Sequence, residues 1–226
     1  MSNIEIPDTI SYQDIKIHRE TQVKYLGLTI DEHMCWDKHT NEICTKLKSF
    51  FPLFYNIRQY LDMEHIKTIF YSMIYSRLKY GSIVTGLTSD ENINKLQTLH
   101  NKLLKVLSHK NYRYSTNKLH NELSILKVKD MVQQEILSFT HSYVHDNLPK
   151  VFKNFFNHRH EVSEMITEPR KRRFHLPIFK TDIGASTVTA VGSKVFNEKA
   201  MELKLENTMK TFRKNVKMNY LPYPSN

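Results

Sequence analysis

His33, Cys35 and His39 lie close together in sequence and carry metal-donor atoms. A structural zinc site needs four such ligands, usually delivered as two spaced pairs. Cys44 is the only other cysteine, and nothing downstream completes a pair at finger spacing. Two cysteines also make no disulfide scaffold. Phosphoryl transfer by two metal ions needs carboxylates grouped to hold both cations. No two aspartates are adjacent anywhere in the chain, and Asp14, Asp31, Asp37 and Asp62 stand singly at expected strand ends and helix caps. The twelve histidines are scattered, none beside a serine or aspartate in a nucleophile pattern. Ser186, in GAST, lacks the strand–turn–helix elbow motif. No catalytic residue and no metal site are therefore expected in this chain.

Positive charge is the chemistry that remains. Lysine and arginine total 33 against 23 acids, a formal net charge of +10. Such a surplus attracts polyanions, either nucleic acid or an anionic membrane surface. The densest cluster is Arg170, Lys171, Arg172 and Arg173, followed by Phe174 and His175. It reads three ways: an RNA-backbone clamp with Phe174 and His175 stacking on bases, a nuclear localisation patch, or an exposed loop. Lys46, Lys48 and Arg58 lie beside an apolar helical stripe, where they can reach phosphates or simply face solvent. Lys24, Tyr25 and Gly27 fall in a β-type run. Tyr25 offers a flat face for stacking, or packs with Leu26 against the first helix; Gly27 marks a bulge or a close backbone approach.

The elements that must position these residues are mostly helical. Only five glycines and seven prolines in 226 residues argue against a turn-rich β protein. Residues 14–30 predict one hairpin, with Ile15 and Ile17 before a turn at His18–Thr21 and Val23, Tyr25 and Leu28–Ile30 after it. Asp37 then caps a helix whose apolar stripe runs through Ile43, Leu47, Phe50, Phe54, Ile57 and Leu61, broken at Pro52. Asp62 caps a second, with Ile66, Phe70 and Met73 inward and an exit at Tyr80-Gly81. Thr88-Ser89-Asp90 caps a third, burying Ile93, Leu96, Leu99, Leu103 and Val106. Helices follow over 116–123, from about Asp130, after Pro149 and from about Asn207, with a basic linker near 158–180. MSNIEIPDTI is no secretory signal, and no run approaches the roughly 20 apolar residues of a membrane span. An intracellular chain, cytoplasmic or nuclear, is the expectation.

Several stretches, in order, carry a resemblance. VKYLGLTID with Trp36 and His39 following resembles the end of the palm in reverse transcriptases of non-LTR, LINE-like retrotransposons. IFYSMIYSRLKYGSIVTG, LQTLHNKLLKVL, LHNELSILKVKDMVQQEIL, LPKVFKNFF and GASTVTAVGSKVFN are similar to later segments of that family, and TFRKNVK to its closing helix. Phe196 stands where the family usually has tryptophan, and Glu198–Ala200 where it has Leu-Pro.

The resemblance implies a mainly α fold: a primer-grip-like hairpin over 1–35, a thumb-like three-helix unit over 36–110, a helical extension over 111–157, and a basic loop with a C-terminal helical region over 158–226. It implies RNA-directed DNA synthesis in the full-length enzyme, with Mg2+ held by an aromatic-x-Asp-Asp turn that is absent here. The chain itself is expected to lack the catalytic palm and to need no cofactor. Its expected partner is RNA or an RNA–DNA hybrid, bound without sequence preference, and the N-terminal polymerase portion is a further candidate partner. The alternatives are a host-adopted nucleic-acid-binding module and a helical protein-interaction domain. Detached from a larger sheet, residues 1–35 are expected to be the least stable part.

Overall fold

A computed structural model describes residues 7–157, 174–176, 178–199 and 208–221. It is mainly α, with its strands confined to the N-terminus. The expected single hairpin is instead two in succession. β1 (Thr9–Tyr12) pairs antiparallel with β2 (Ile15–His18), and β3 (Gln22–Tyr25) with β4 (Leu28–Asp31). The reversals fall at two-residue turns, where Gln13, Leu26 and Gly27 take φ of +53°, +46° and +79°. Positive φ at both Leu26 and Gly27 is the primed turn whose twist matches the flanking strands. Gly27 is thus a turn residue, not a bulge.

The helical stripe gives α1 (Asp37–Ser49) and α2 (Phe51–Ile57), with Pro52 in the first turn of the second, where its missing N–H costs nothing. Asp37 is the first helical residue and not the cap; Trp36, at φ +65°, precedes it. Asp62 and Ser89 do cap, accepting from the His65 and Asn92 N–H groups. The second helical run is α3 (Met63–Phe70), a π-helical turn (Tyr71–Tyr75) and α4 (Ser76–Lys79). Its buried residues, Ile66, Phe70, Ile74 and Leu78, recur every four positions. The wider π turn keeps that spacing on one face. Ile74 therefore occupies the core, and Met73, expected there, is only partly buried.

After α5 (Ser82–Thr85), α6 (Asp90–Leu107) packs against α1 and α2, running in the same direction as they do. Asn92 Nδ2 donates to Asp37 Oδ1 at 2.7 Å at one end. Arg58 Nη1 donates to the Val106 carbonyl at 2.8 Å at the other. α7 (Thr116–Leu123) leads into α8 (Val128–Val144), against which α10 (Val188–Lys199) and α11 (Met209–Tyr220) lie; α9 (Asp182–Ala185) is one turn before α10. The largest apolar cluster runs from Ile43 to Met131 and includes Leu221. Smaller ones gather Leu137, Val195, Phe212 and Val216, and Phe156, Phe174 and Phe196.

The last cluster corrects an expectation. Phe174 is fully buried and stacks on Phe156 at 4.8 Å between ring centroids, while its backbone N–H and carbonyl are both bound by the Asn197 amide. It has no face free for a base. Phe196, in the family's tryptophan position, packs 4.8 Å from Phe174. Among the described residues no helix is long and apolar enough to cross a membrane.

Candidate nucleic-acid interface

β3–β4 is seated on the helices by three residues of β4 and one turn. Thr29 is buried; its N–H donates to His39 Nδ1 at 3.3 Å and its hydroxyl to Glu42 Oε1 at 2.9 Å. Leu28 fits over Gly81, where a Cβ would lie 2.7 Å from Leu28 Cδ2 and the backbone holds φ +68°. Only glycine satisfies both demands. The Tyr80 hydroxyl donates to the Leu26 carbonyl at the turn.

Asp31 closes the junction with α1. Its carboxylate accepts from the N–H groups of His33 (3.1 Å), Cys35 (3.1 Å) and Trp36 (2.8 Å), and from the Cys35 thiol (3.0 Å). Burial opposes its charge. The Cys35 thiol and the Cys35, Trp36 and His33 N–H groups together outweigh that and bring its pKa down to about 2. The same contact pushes the Cys35 thiol up, with burial adding to it. Asp31, not Asp37, thus organises the start of α1.

Between the hairpin turn and the helices lies a groove of about 370 Å³. Gly27 and Tyr80 form one end, His39, Ile43 and Lys46 one wall, and Ser72, Ser76 and Arg77 the other. The Ser72 hydroxyl donates to the Ile69 carbonyl at 2.9 Å and that of Ser76 to the Ser72 carbonyl. Burial lowers the His39 pKa; Glu42 opposes this, and Lys46 and Lys24 add to it. His39 is therefore neutral at pH 7; the charged groups lining the groove are Lys46 and Arg77, with Lys24 and Glu42 close enough to act on His39.

The structure thus brings Lys24, Gly27 and Lys46 together. Tyr25 and Leu26 are 63% and 71% exposed, so the reading that they pack against the first helix does not hold. Lys48 is exposed on α1 outside the groove lining. Arg58 lies at the far end of α2, tied to Val106 and over the Tyr55 ring at 4.6 Å. Arg170, Lys171, Arg172 and Arg173 fall outside the described residues. Sequence reading missed Arg77, Tyr80 and the two serines. The Tyr-Gly pair at 80–81 was the available signal, since a glycine exit fixes what stands beside the hairpin. His33, Cys35 and His39 do not converge: Cys35 donates to Asp31, and His39 faces Thr29. Among the described residues no three His, Cys, Asp or Glu side chains converge as metal ligands do.

No protein-family model matches the chain, and no solved structure does. Among curated proteins it is similar to the probable RNA-directed DNA polymerase from transposon X-element of Drosophila melanogaster, 23% identical over 170 residues. That match takes in 74% of this chain and 17% of the relative. The probable RNA-directed DNA polymerase from transposon BS of the same organism is 20% identical over 128 residues, 55% of this chain and 14% of that one. The chain spans less than a fifth of the length of either. Across most of its length, this protein is thus similar to a short part of the RNA-directed DNA polymerases of non-LTR transposons.

Proposed function

We propose that this chain is the part of such a polymerase that follows the catalytic carboxylates, and that its role is to hold a template–primer duplex. The observation that carries this is the groove beneath the Leu26-Gly27 turn. The hairpin tip and the cationic groups of Lys46 and Arg77 border one concave surface, with Lys24 near its His39 wall. Lysine and arginine meet phosphates there, and the small residues Gly27, Ser72 and Ser76 let a sugar–phosphate backbone come close. Exposed Tyr25, beside the turn, offers a flat face at the same edge. Such contacts read backbone and not sequence, so the grip is sequence-neutral.

The described residues do not fit two magnesium ions. Asp31 spends its carboxylate on three N–H groups and a thiol, and Glu42, which faces His39, accepts from the Thr29 hydroxyl. Nucleotide transfer in this reading needs carboxylates from another segment. The chain's own residues position the nucleic acid and do no bond chemistry. A filter-binding titration with an RNA–DNA hybrid, from low to moderate salt, tests the proposal. Affinity should fall steeply with salt, and Lys46→Ala with Arg77→Ala should flatten the log–log slope by about two. Binding that is absent at every salt concentration would favour a protein-interaction domain; nucleotide incorporation by this chain alone would overturn the division of labour.

A further inference from the structure

A second basic surface lies at the opposite end of the helical bundle. Arg58 closes α2 about 30 Å along the helices from Asp37, at about 1.5 Å per residue. There the segment after α2 meets the loop after α6: His109 Nε2 lies 3.1 Å from the Arg58 carbonyl, and the Lys105 ammonium donates to the Tyr112 carbonyl. Three tyrosines surface at this end. Tyr60 is 84% exposed, Tyr112 73% and Tyr55 46%. Arginines brace two of them: Arg58 over the Tyr55 ring at 4.6 Å, and Arg113, whose Nε donates to Tyr112 Oη at 2.7 Å, over that ring at 5.3 Å.

The charge here is one-sided. At this end the chain carries Arg58, Lys105, Lys110 and Arg113, and from residue 92 to 121 it has no acid. Two of the nearby carboxylates are committed. Asp62 caps α3 and meets the His65 ring at 2.7 Å. Glu122 accepts from the Tyr114 hydroxyl and lies 3.9 Å from Lys110.

Exposed aromatic rings among an excess of cations suit one partner above others. A duplex hides the faces of its bases, whereas a single strand offers them for stacking while its phosphates meet the cations. The surplus of lysine and arginine around this end favours a polyanion over a protein partner. We infer that this end of the bundle is a second nucleic-acid surface, for single-stranded RNA or DNA, with Tyr60 and Tyr112 as stacking platforms. The inference extends the duplex-holding role proposed above, to strand that runs beyond the duplex, but its residues are separate from the groove.

Fluorescence anisotropy with the full chain distinguishes the two. The probes are a blunt RNA–DNA hybrid, the same hybrid with a single-stranded overhang, and a single-stranded RNA. Tyr60→Ala with Tyr112→Ala should weaken single-strand binding about tenfold, remove the advantage of the overhang, and leave the blunt hybrid unaffected. Tyr60→Phe with Tyr112→Phe should retain wild-type single-strand affinity, since the ring faces remain. Unchanged single-strand affinity in the alanine variant, with the blunt hybrid still bound, overturns this inference alone. Single-strand binding lost in that variant, with no hybrid binding in the wild type, sustains it and overturns the groove's role. Absence of binding to all three probes overturns both.

Discussion

In β1–β2 the cross-strand pairs Ile10–Ile17 and Tyr12–Ile15 share one face, as Val23–Ile30 and Tyr25–Leu28 do in β3–β4. The two hairpins have the same length, a two-residue turn each and the same apolar alternation. Yet every strand residue of the first is exposed, while β4 of the second is partly or fully buried along its length. The difference lies in three residues. Leu28 meets Gly81, Thr29 meets His39 and Glu42, and Asp31 gathers the start of α1. The first hairpin is joined to the rest through the Arg19–Glu32 ion pair at 2.7 Å, which is solvent-exposed and contributes little. Apolar alternation makes a hairpin; it does not say where the hairpin is fastened.

The largest expected contrast is between the helical body and β1–β2. Leu103, fully buried in the main cluster, should cost about 2–5 kcal/mol on replacement by alanine. Ile17→Ala, at a side chain 52% exposed, should change stability by no more than about 0.5 kcal/mol. Urea unfolding followed by circular dichroism measures both. A cost for Ile17→Ala approaching that for Leu103→Ala would mean that the first hairpin's apolar face is covered in solution.

Acid should act on the body before it acts on the Asp31 junction. His100 is fully buried against Phe70, at 5.6 Å between rings, and neither of its ring nitrogens has a hydrogen-bond partner. Burial, with a smaller effect from His120, lowers its pKa to about 3. The unfolded chain takes up this proton near pH 6.5, while the folded chain resists it until about pH 3. Stability should therefore fall with falling pH through that window, by up to about 1.4 kcal/mol per pH unit for one proton. His39 at the hairpin seat, lowered by burial, adds to the loss. His100→Leu should flatten the slope between pH 6 and 4. An unchanged slope in that variant would assign the acid sensitivity to other groups.

Gly81→Ala should have an intermediate effect, about 1–2 kcal/mol, because alanine in the left-handed region is strained and its Cβ meets Leu28. Hydrogen exchange should show β3–β4 losing protection more than α6 does. Equal losses in both would mean that the hairpin and the bundle open as one unit.

Much of this was legible in sequence where one periodicity acted alone. The stripe from Ile43 to Phe54 and the caps Asp62 and Ser89 follow from helical spacing and side-chain acceptors. The hairpins were misread because alternation is the same on both sides of His18–Thr21, and because Gln13 and Leu26 enter positive φ without being glycine. Phe174 looked exposed because it follows four basic residues; its burial depends on Phe156 and Phe196, which sequence distance hides. The groove was half legible. Lys24, Gly27 and Lys46 were singled out, but Arg77 and Tyr80 reach it only because the π turn and the Gly81 exit aim α4 at the hairpin. Arg58 looked like a phosphate ligand from its place on α2, and only the fold shows it tied to Val106.

Asp31→Asn should give a smaller change than Gly81→Ala, and the most local one. An amide keeps the shape but loses the charge, and its nitrogen cannot accept the N–H groups of His33, Cys35 or Trp36. The expected cost, about 1 kcal/mol, is that of a helix cap. Protection should fall in β4 and the first turn of α1, and remain in α6 and α8. The pH dependence gives a second handle. A carboxylate lowered to about 2 contributes stability above its ordinary range near 4 and loses it as the pH falls through about 2. Wild-type β4 amides should therefore lose this contribution between about pH 4 and 2, whereas the asparagine variant should show no such step. A step that persists in the variant would place the acid-sensitive fastening elsewhere, and with it the feature that sets the second hairpin apart from the first.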